Sequence, residues 1–507
     1  MTRGSMAGGR QHLGAVAAFA VLALAGPAPA AAATAPWVTT QGNRFVRTGT
    51  GAPIVLRGVN VAAGPNVALQ NRVVQLGANL VRIHVTWADL QPHPPAAGAP
   101  GWDTALIARL QTQVAWYGAH SINVLIDLHQ YHWSSFFGPR GAGIPAWFYT
   151  DVHAGEFPPT HHGMVKAFTA FYADPEAVRL YSALAREVAA SFDGDRNVVG
   201  YEVLNEPLGG ASQAHVNAVL RFEATIRRAF AAVDPQRTVF VMARTGGDLG
   251  LLDASFRPFG ALDHLALDYH AYFSGRRGTG VSFDGNAWTP TWNATHMQVV
   301  HAYRGSAAAQ LAVLLTPIRK ANDLRIPLIV GEWGDLRGTS AGSTYQAQML
   351  SLFHRYGLSW TRWTLSPNDV FGILNARAQP TVAFEQLERA LRVASPAPPP
   401  PGPHLPAFAV SRPRLSLARA DAHPLLLCAR PAAAALGTTI SMRTASGRLI
   451  RHIDLGAVSA GRVACRRWRG GDGRGGRVGT GTVFIRVATR YAVGRRFSVW
   501  RTVAVRP

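Results

Sequence analysis

Hydrophobic and polar positions alternate in blocks along the first 395 residues, and the blocks keep two rhythms. Short β-branched runs, apolar at nearly every position, read as strands buried on both faces. They span Ile54–Asn60, Leu80–Val85, Asn123–Gln130, Val199–Glu206, Thr238–Ala243, His264–Tyr272, Pro327–Trp333 and Ser359–Leu365. Between them lie longer stretches of helical period, among them Thr104–Gly118, Pro175–Phe192, Ala214–Val233 and Thr344–Tyr356. Pro175 directly after Asp174 fits a helix start, because proline needs no hydrogen-bond partner there. Eight strand–helix units of this size predict a closed (β/α)8 TIM barrel. An open doubly wound sheet is the alternative. That fold usually keeps a glycine-rich phosphate loop after its first strand, and none stands there.

The rhythm changes at Ser395, where a run rich in proline extends to Pro406. Such a segment neither pairs nor coils and acts as a stiff spacer. Beyond it the apolar positions alternate singly, over Thr438–Arg443, Arg448–Leu455, Gly481–Ala488 and Arg496–Val505, with glycine and arginine between. This predicts a small β-sandwich. The expected organisation is an export signal over 1–33, a catalytic barrel over 36–395, a linker over 396–406 and a basic sandwich over 407–507.

Charge sharpens that division. The chain carries +22 overall. Residues 407–507 hold 19 arginines, no lysine and three acids (Asp421, Asp454, Asp472), a net of +16 that leaves +6 for everything before them. A tail of this kind can hold an anionic surface or an acidic polysaccharide, or can simply be a solvated arginine-rich face. Nucleic acid is not the expected partner, and a monomer is expected. The N-terminus places Arg3 and Arg10 before an apolar run from Leu13 to Ala25, then small residues through Ala33. That is the pattern of a secretory signal, too short for a comfortable membrane span, with an uncleaved anchor as the alternative. Export places Cys428 and Cys465 in an oxidising compartment, where they are candidates for a disulfide. Two free buried thiols are the other reading.

The active site of a barrel lies at the carboxyl ends of its strands. Polar residues crowd that end here: Arg82 and His84, His129 and Gln130, Asn205 and Glu206, His270 and Tyr272, Glu332, and Trp363. Such groups are costly in a core and useful in a site. Glu206 and Glu332 close different strands, so a closed barrel can bring them face to face. Cleavage of a glycosidic bond needs a proton for the leaving oxygen and a carboxylate for the anomeric carbon, and a carboxyl pair about 5 Å apart gives retention. Each residue also has a plainer reading. Arg82 can pair structurally with Glu202 or Asp127, and Trp363 and Tyr272 can be packed rings.

The stretch Tyr201-Glu-Val-Leu-Asn-Glu-Pro207, with Gly331-Glu-Trp-Gly334, resembles glycoside hydrolase family 5 over the whole unit before the proline spacer. The family's order of Arg, His, Asn-Glu, His-x-Tyr, Glu and Trp is met by Arg82, His129, Asn205–Glu206, His270–Tyr272, Glu332 and Trp363. The resemblance implies a retaining β-glycosidase needing no cofactor. It makes Glu206 the acid/base and Glu332 the nucleophile, with Asn205 on the sugar 2-hydroxyl. Arg82 and Tyr272 hold Glu332, His129 and His270 bond hydroxyls or carboxylates, and Trp363 floors the reacting sugar.

The loop after the third strand, from Tyr131 to Phe148, is long and aromatic and is expected to shape the cleft, with Trp133 as a substrate contact. It is similar to the endoglycoceramidase branch of the family, although Tyr131 stands where that branch usually has Asp. The substrate classes implied are β-glucans, glycolipid-like glycoconjugates and other β-linked glycosides. Two rivals remain. One is a non-catalytic carbohydrate- or surface-binding protein. The other is a metal-dependent hydrolase using His129 and His132 with His161 and His162, a spacing unlike the usual zinc sites; no metal is expected.

Overall fold

The computed structural model describes residues 35–96, 99–209, 213–242, 254–272, 307–335, 340–394 and most of 407–507. The export signal expected over 1–33, the linker expected over 396–406 and Ala243 lie outside the described residues. Among the described residues no helix is long and apolar enough to cross a membrane.

Eight parallel strands close a barrel: Arg57–Ala62, Leu80–Thr86, Asn123–His129, Val198–Glu202, Thr238–Val241, Leu265–Tyr272, Leu328–Gly334 and Ser359–Arg362, called here the first to eighth strands. All eight expected strands are present. The first begins later than its sequence suggested. Pro53–Ile54 pairs instead with Arg44–Arg47, which pairs with Val38–Gln41, in a three-stranded antiparallel sheet. The apolar run through Val55 and Leu56 hides the point where the chain leaves one sheet for the other. Val38, Phe45 and Ile54 of this small sheet pack with Leu80, Leu125, Val199, Phe240, Ala266 and Ile329 from the amino ends of the strands, sealing the barrel's lower mouth.

The helices follow their sequence signals. Asp174 caps Pro175–Phe192, its Oδ1 accepting from the N–H groups of Glu176 and Ala177. Helix Val67–Leu76 follows the first strand and Thr104–Ala119 follows the second. Residues of the strands' outer faces, such as Val81, Ile83 and Val85 of the second, join the helices in one large core.

The tail forms two sheets. One is three-stranded, from Ala407–Val410, Leu425–Arg430 and Ala464–Trp468; the larger is built around Ala435–Thr444 and Gly481–Tyr491. Leu425, Leu427 and Trp468 of the first share a core with Ile440, Met442, Ile485 and Val503 of the second, which makes a sandwich. Cys428 and Cys465 stand opposite each other in adjacent strands and are bonded.

Candidate active site

Alternation places three layers inside the barrel. Above the apolar seal, Arg82 is fully buried and gathers the middle layer. Its Nε and Nη2 donate to the two Glu202 oxygens at 2.7 and 3.0 Å, and its Nη1 lies 3.1 Å from Asp127. The same guanidinium reaches upward. Nη1 donates to Glu332 Oε1 at 2.9 Å and to Asn60 Oδ1 at 2.9 Å, and Nη2 donates to Asn205 Oδ1 at 2.8 Å. Arg82 therefore pairs both with Glu202 and Asp127 and with Glu332.

One cation faces several acids, so protons make up the difference. Burial holds Asp268 well above the usual carboxylate range, with Glu202 beside it adding to the rise. Burial likewise raises Asp127 to about 7 against the pull of Arg82. Asp268 Oδ1 accepts from the N–H groups of Tyr269 and Gly331. A methyl at Gly331 would sit 2.1 Å from Asp268 Oδ2, so only glycine fits.

The upper layer holds the two glutamates. Glu332 is buried, its Oε1 held by Arg82 and its Oε2 by the Tyr272 hydroxyl at 2.8 Å. It faces inward because the seventh strand slips against the sixth: Ile329 pairs with Asp268 but Glu332 pairs with His270, a bulge of one residue. Strict alternation from Ile329 would have pointed Glu332 at the helices. Glu206, four residues past the fourth strand, takes a left-handed backbone with φ 43°. His270 Nδ1 lies 2.8 Å from Glu206 Oε1 and 3.4 Å from Glu332 Oε2. Oxygens of the two glutamates and a ring nitrogen of His270 lie within 4.8 Å of one another.

Electrostatics separates the two acids. Burial raises Glu206 to about 7, so it keeps a proton near neutral pH. Burial also holds Glu332 above its ordinary value, with the Arg82 guanidinium opposing the rise. Burial lowers His270 and His129 to about 4, leaving both rings neutral. His129 is oriented by Asp127 at 2.7 Å, and its ring stacks on Trp363 at 5.4 Å. Trp363 is partly exposed at the end of the eighth strand, its Nε1 donating to Asp369 at 3.3 Å. Asn205 donates from Nδ2 to Gln130 O, which leaves its second amide hydrogen for a ligand.

Trp133 does not belong to this group. It is fully buried, donates to the Tyr149 hydroxyl at 2.6 Å and packs on Phe168 and Phe171. Its loop turns its aromatic rings onto one another, and Tyr131 remains 51% exposed. His161 and His162 are exposed at a helix start, away from the barrel interior. The groupings able to hold an ion, among the described residues, are Glu202–Asp268–His270 and Glu206–His270–Glu332, both within the site itself. Asp268 and Asn60 were not singled out from the sequence. Asp268 precedes His270 and Tyr272 at period two, and that alternation is the signal that marks it.

A family model described as cellulase (glycosyl hydrolase family 5) matches residues 48–369. Among solved structures, an endogalactoceramidase superposes with TM-score 0.55 at 17% identity, covering 85% of this chain and 100% of its own. Endo-glycoceramidase II from Rhodococcus sp., with a cellobiose-like imidazole, gives 0.51 at 19% identity over 82% of this chain and 96% of its own. No curated protein matches. The structural likenesses carry the barrel fold. The family match covers more than half of the sequence, and within it lie both glutamates and the residues that hold them: the chain belongs to glycosyl hydrolase family 5 and is a glycoside hydrolase.

Proposed function

We propose that the protein is an exported retaining β-glycosidase, with Glu332 as nucleophile and Glu206 as acid/base. The observation that carries this is the carboxyl pair at the ends of two strands, with oxygens no more than 4.8 Å apart. That spacing suits a covalent intermediate; an inverting pair stands roughly 6.5–9.5 Å apart to admit a water. In the first step Glu332 attacks the anomeric carbon as Glu206 protonates the departing oxygen, forming a glycosyl ester and breaking the glycosidic bond. In the second, Glu206 takes a proton from water, the water oxygen joins the anomeric carbon and the ester bond breaks. Arg82 and Tyr272 fix both oxygens of the nucleophile, and the proton held by Glu206 near pH 7 supplies the acid.

The test uses an activated aryl β-glycoside. Glu332→Ala is expected to lose roughly 10,000-fold in kcat, on the scale of other nucleophile removals, and azide is expected to restore turnover as the α-glycosyl azide. Unchanged activity would sink the assignment.

For substrate, we favour a β-linked glycan or a glycolipid-like glycoside. The two structural neighbours, an endogalactoceramidase and an endo-glycoceramidase, favour a glycolipid headgroup. A digestion panel of β-glucans and glycosylceramides, read by mass, separates the two. The 19 arginines of the tail favour attachment to an anionic surface, which salt is expected to weaken.

A further inference from the structure

Asp268 is an acid that the ion pairs do not explain. Arg82 lies 2.7 Å from Glu202, 3.1 Å from Asp127 and 2.9 Å from Glu332, but 4.0 Å from Asp268. Asp268 is fully buried on the sixth strand, where a carboxyl costs stability unless its oxygens are used. Its Oδ1 accepts from the N–H groups of its neighbour Tyr269 and of Gly331 on the seventh strand. Gly331 directly precedes Glu332 and stands in the register slip, where Val330 and Gly331 together face Tyr269 alone. A bulge takes a backbone N–H out of the ladder, and in a dry core that donor needs another acceptor. Asp268 supplies it at 2.8 Å.

The carbonyl of Gly331 is held from the other side. It accepts from Asn60 Nδ2 of the first strand at 2.9 Å and from the Thr361 hydroxyl of the eighth. Asn60 and Thr361 are fully buried, as Asp268 is. Asn60 Oδ1 also accepts from Arg82 Nη1, the nitrogen that donates to Glu332 Oε1. The backbone before Glu332 and the carboxylate of Glu332 thus hang from one amide. The peptide joining Gly331 to Glu332 cannot turn without breaking one of these bonds.

The other oxygen of Asp268 shows how the group works. Oδ2 receives no N–H or O–H donor, and Glu202 lies beside it. Burial, with Glu202 adding to it, keeps a proton on this carboxyl. Oδ1 already accepts twice, so the proton belongs on Oδ2. Asp268 is then a neutral group with one acceptor and one donor, the pattern an asparagine amide also offers.

We infer that Asp268, with Asn60 and Thr361, is a positioning residue for the nucleophile: the three side chains clamp Gly331 and so set where Glu332 meets the anomeric carbon. The inference rests on the glycosidase reading above. Asp268→Ala, Asp268→Asn and Thr361→Val are compared with the wild type in the full chain. Attack by Glu332 is isolated with 2,4-dinitrophenyl 2-deoxy-2-fluoro-β-glucoside and its β-galactoside counterpart. The ester from Glu332 to the anomeric carbon forms as the bond to the aryl oxygen breaks, and dinitrophenolate departs with the electron pair, needing no proton. The fluorine slows the water step, so the ester is counted by mass. Binding of isofagomine, a sugar-shaped cation whose ammonium sits at the anomeric position, is measured by calorimetry. Asp268→Ala should label about 100-fold more slowly per active site, with affinity for the glycoside changed less than about 3-fold, the split expected of a misplaced nucleophile. Its isofagomine affinity should fall about 10-fold, the scale of a hydrogen bond to a charged group. Thr361→Val, which removes one neutral hydrogen bond, should label up to about 10-fold more slowly. Asp268→Asn keeps acceptor and donor and should restore both readouts to within about 3-fold of the wild type. A fall in Tm with labelling per site unchanged marks a structural role and overturns the inference. So does an alanine defect that asparagine does not rescue, or no isofagomine binding by the wild type. If Asp268→Ala fails to fold, Thr361→Val decides: labelling at the wild-type rate overturns the clamp. Isofagomine binding that Asp268→Ala weakens and Asp268→Asn restores, with no glycoside labelling or turnover by the wild type, upholds the positioning and overturns the glycosidase reading instead.

Discussion

The lower and upper halves of the barrel interior are built on the same eight strands and obey opposite rules. Below, Leu80, Leu125, Val199, Phe240, Ala266 and Ile329 meet the small amino-terminal sheet in an apolar seal. Above, the next inward positions of the same strands carry Arg82, Asp127, Glu202, Asp268 and Glu332, all buried. The lower half gains stability from burial alone. The upper half spends some of it, since buried charges offset their desolvation only by close pairing. The strands share one geometry, so the side chain at each level decides which half supports the fold and which does chemistry.

The contrast can be broken first at Arg82. Replacing it with methionine removes the cation that Glu202, Asp127 and Glu332 all touch. Urea unfolding should show a loss of about 3–5 kcal/mol, with activity abolished, because buried acids are left unmatched. Leu125→Ala tests the other half. It should cost about 2–5 kcal/mol of stability, while kcat of the folded protein stays near the wild-type value. A large drop in kcat would show that the two halves are coupled.

Glu206→Gln should give the smallest change in stability, and its sign depends on pH. Folding raises this carboxyl from 4.5 to about 7. Between those values the folded protein holds a proton that the unfolded chain has released. Stability therefore falls as pH rises from about 4.5 to 7, by up to about 3 kcal/mol from this group. Thermal melts of Glu206→Gln should lose less between pH 5 and 8 than those of the wild type. In the wild type, kcat/KM should decline with rising pH around 7 as the acid loses its proton.

Much of this was legible in the sequence, for identifiable reasons. Strands buried on both faces read as unbroken apolar runs, and the Asp174–Pro175 cap marked its helix to the residue. The polar strand ends named Arg82, His129, Asn205, Glu206, His270, Tyr272, Glu332 and Trp363, and the structure brings them together. Other features lacked a local signal. The amino-terminal sheet merged with the first strand because Ile54, Val55 and Leu56 belong to one apolar run. The tail strand Leu425–Arg430 carries an apolar stretch without alternation, and Ala464–Trp468 is mostly polar. Trp133 looked like a cleft residue by its place in a long loop, yet that loop folds its rings onto one another.

The slip in the seventh strand amounts to a counting mismatch. From Ile329 to Glu332 this strand advances three residues while the sixth advances two, from Asp268 to His270. Glu332 therefore reaches the level of His270 with one residue to spare. Deleting Gly331 would even the count and leave Glu332 level with His270, but would remove the N–H that donates to Asp268 and the carbonyl that accepts from Asn60 and Thr361. In this strand a change of length acts on the backbone contacts beneath Glu332 rather than on its level.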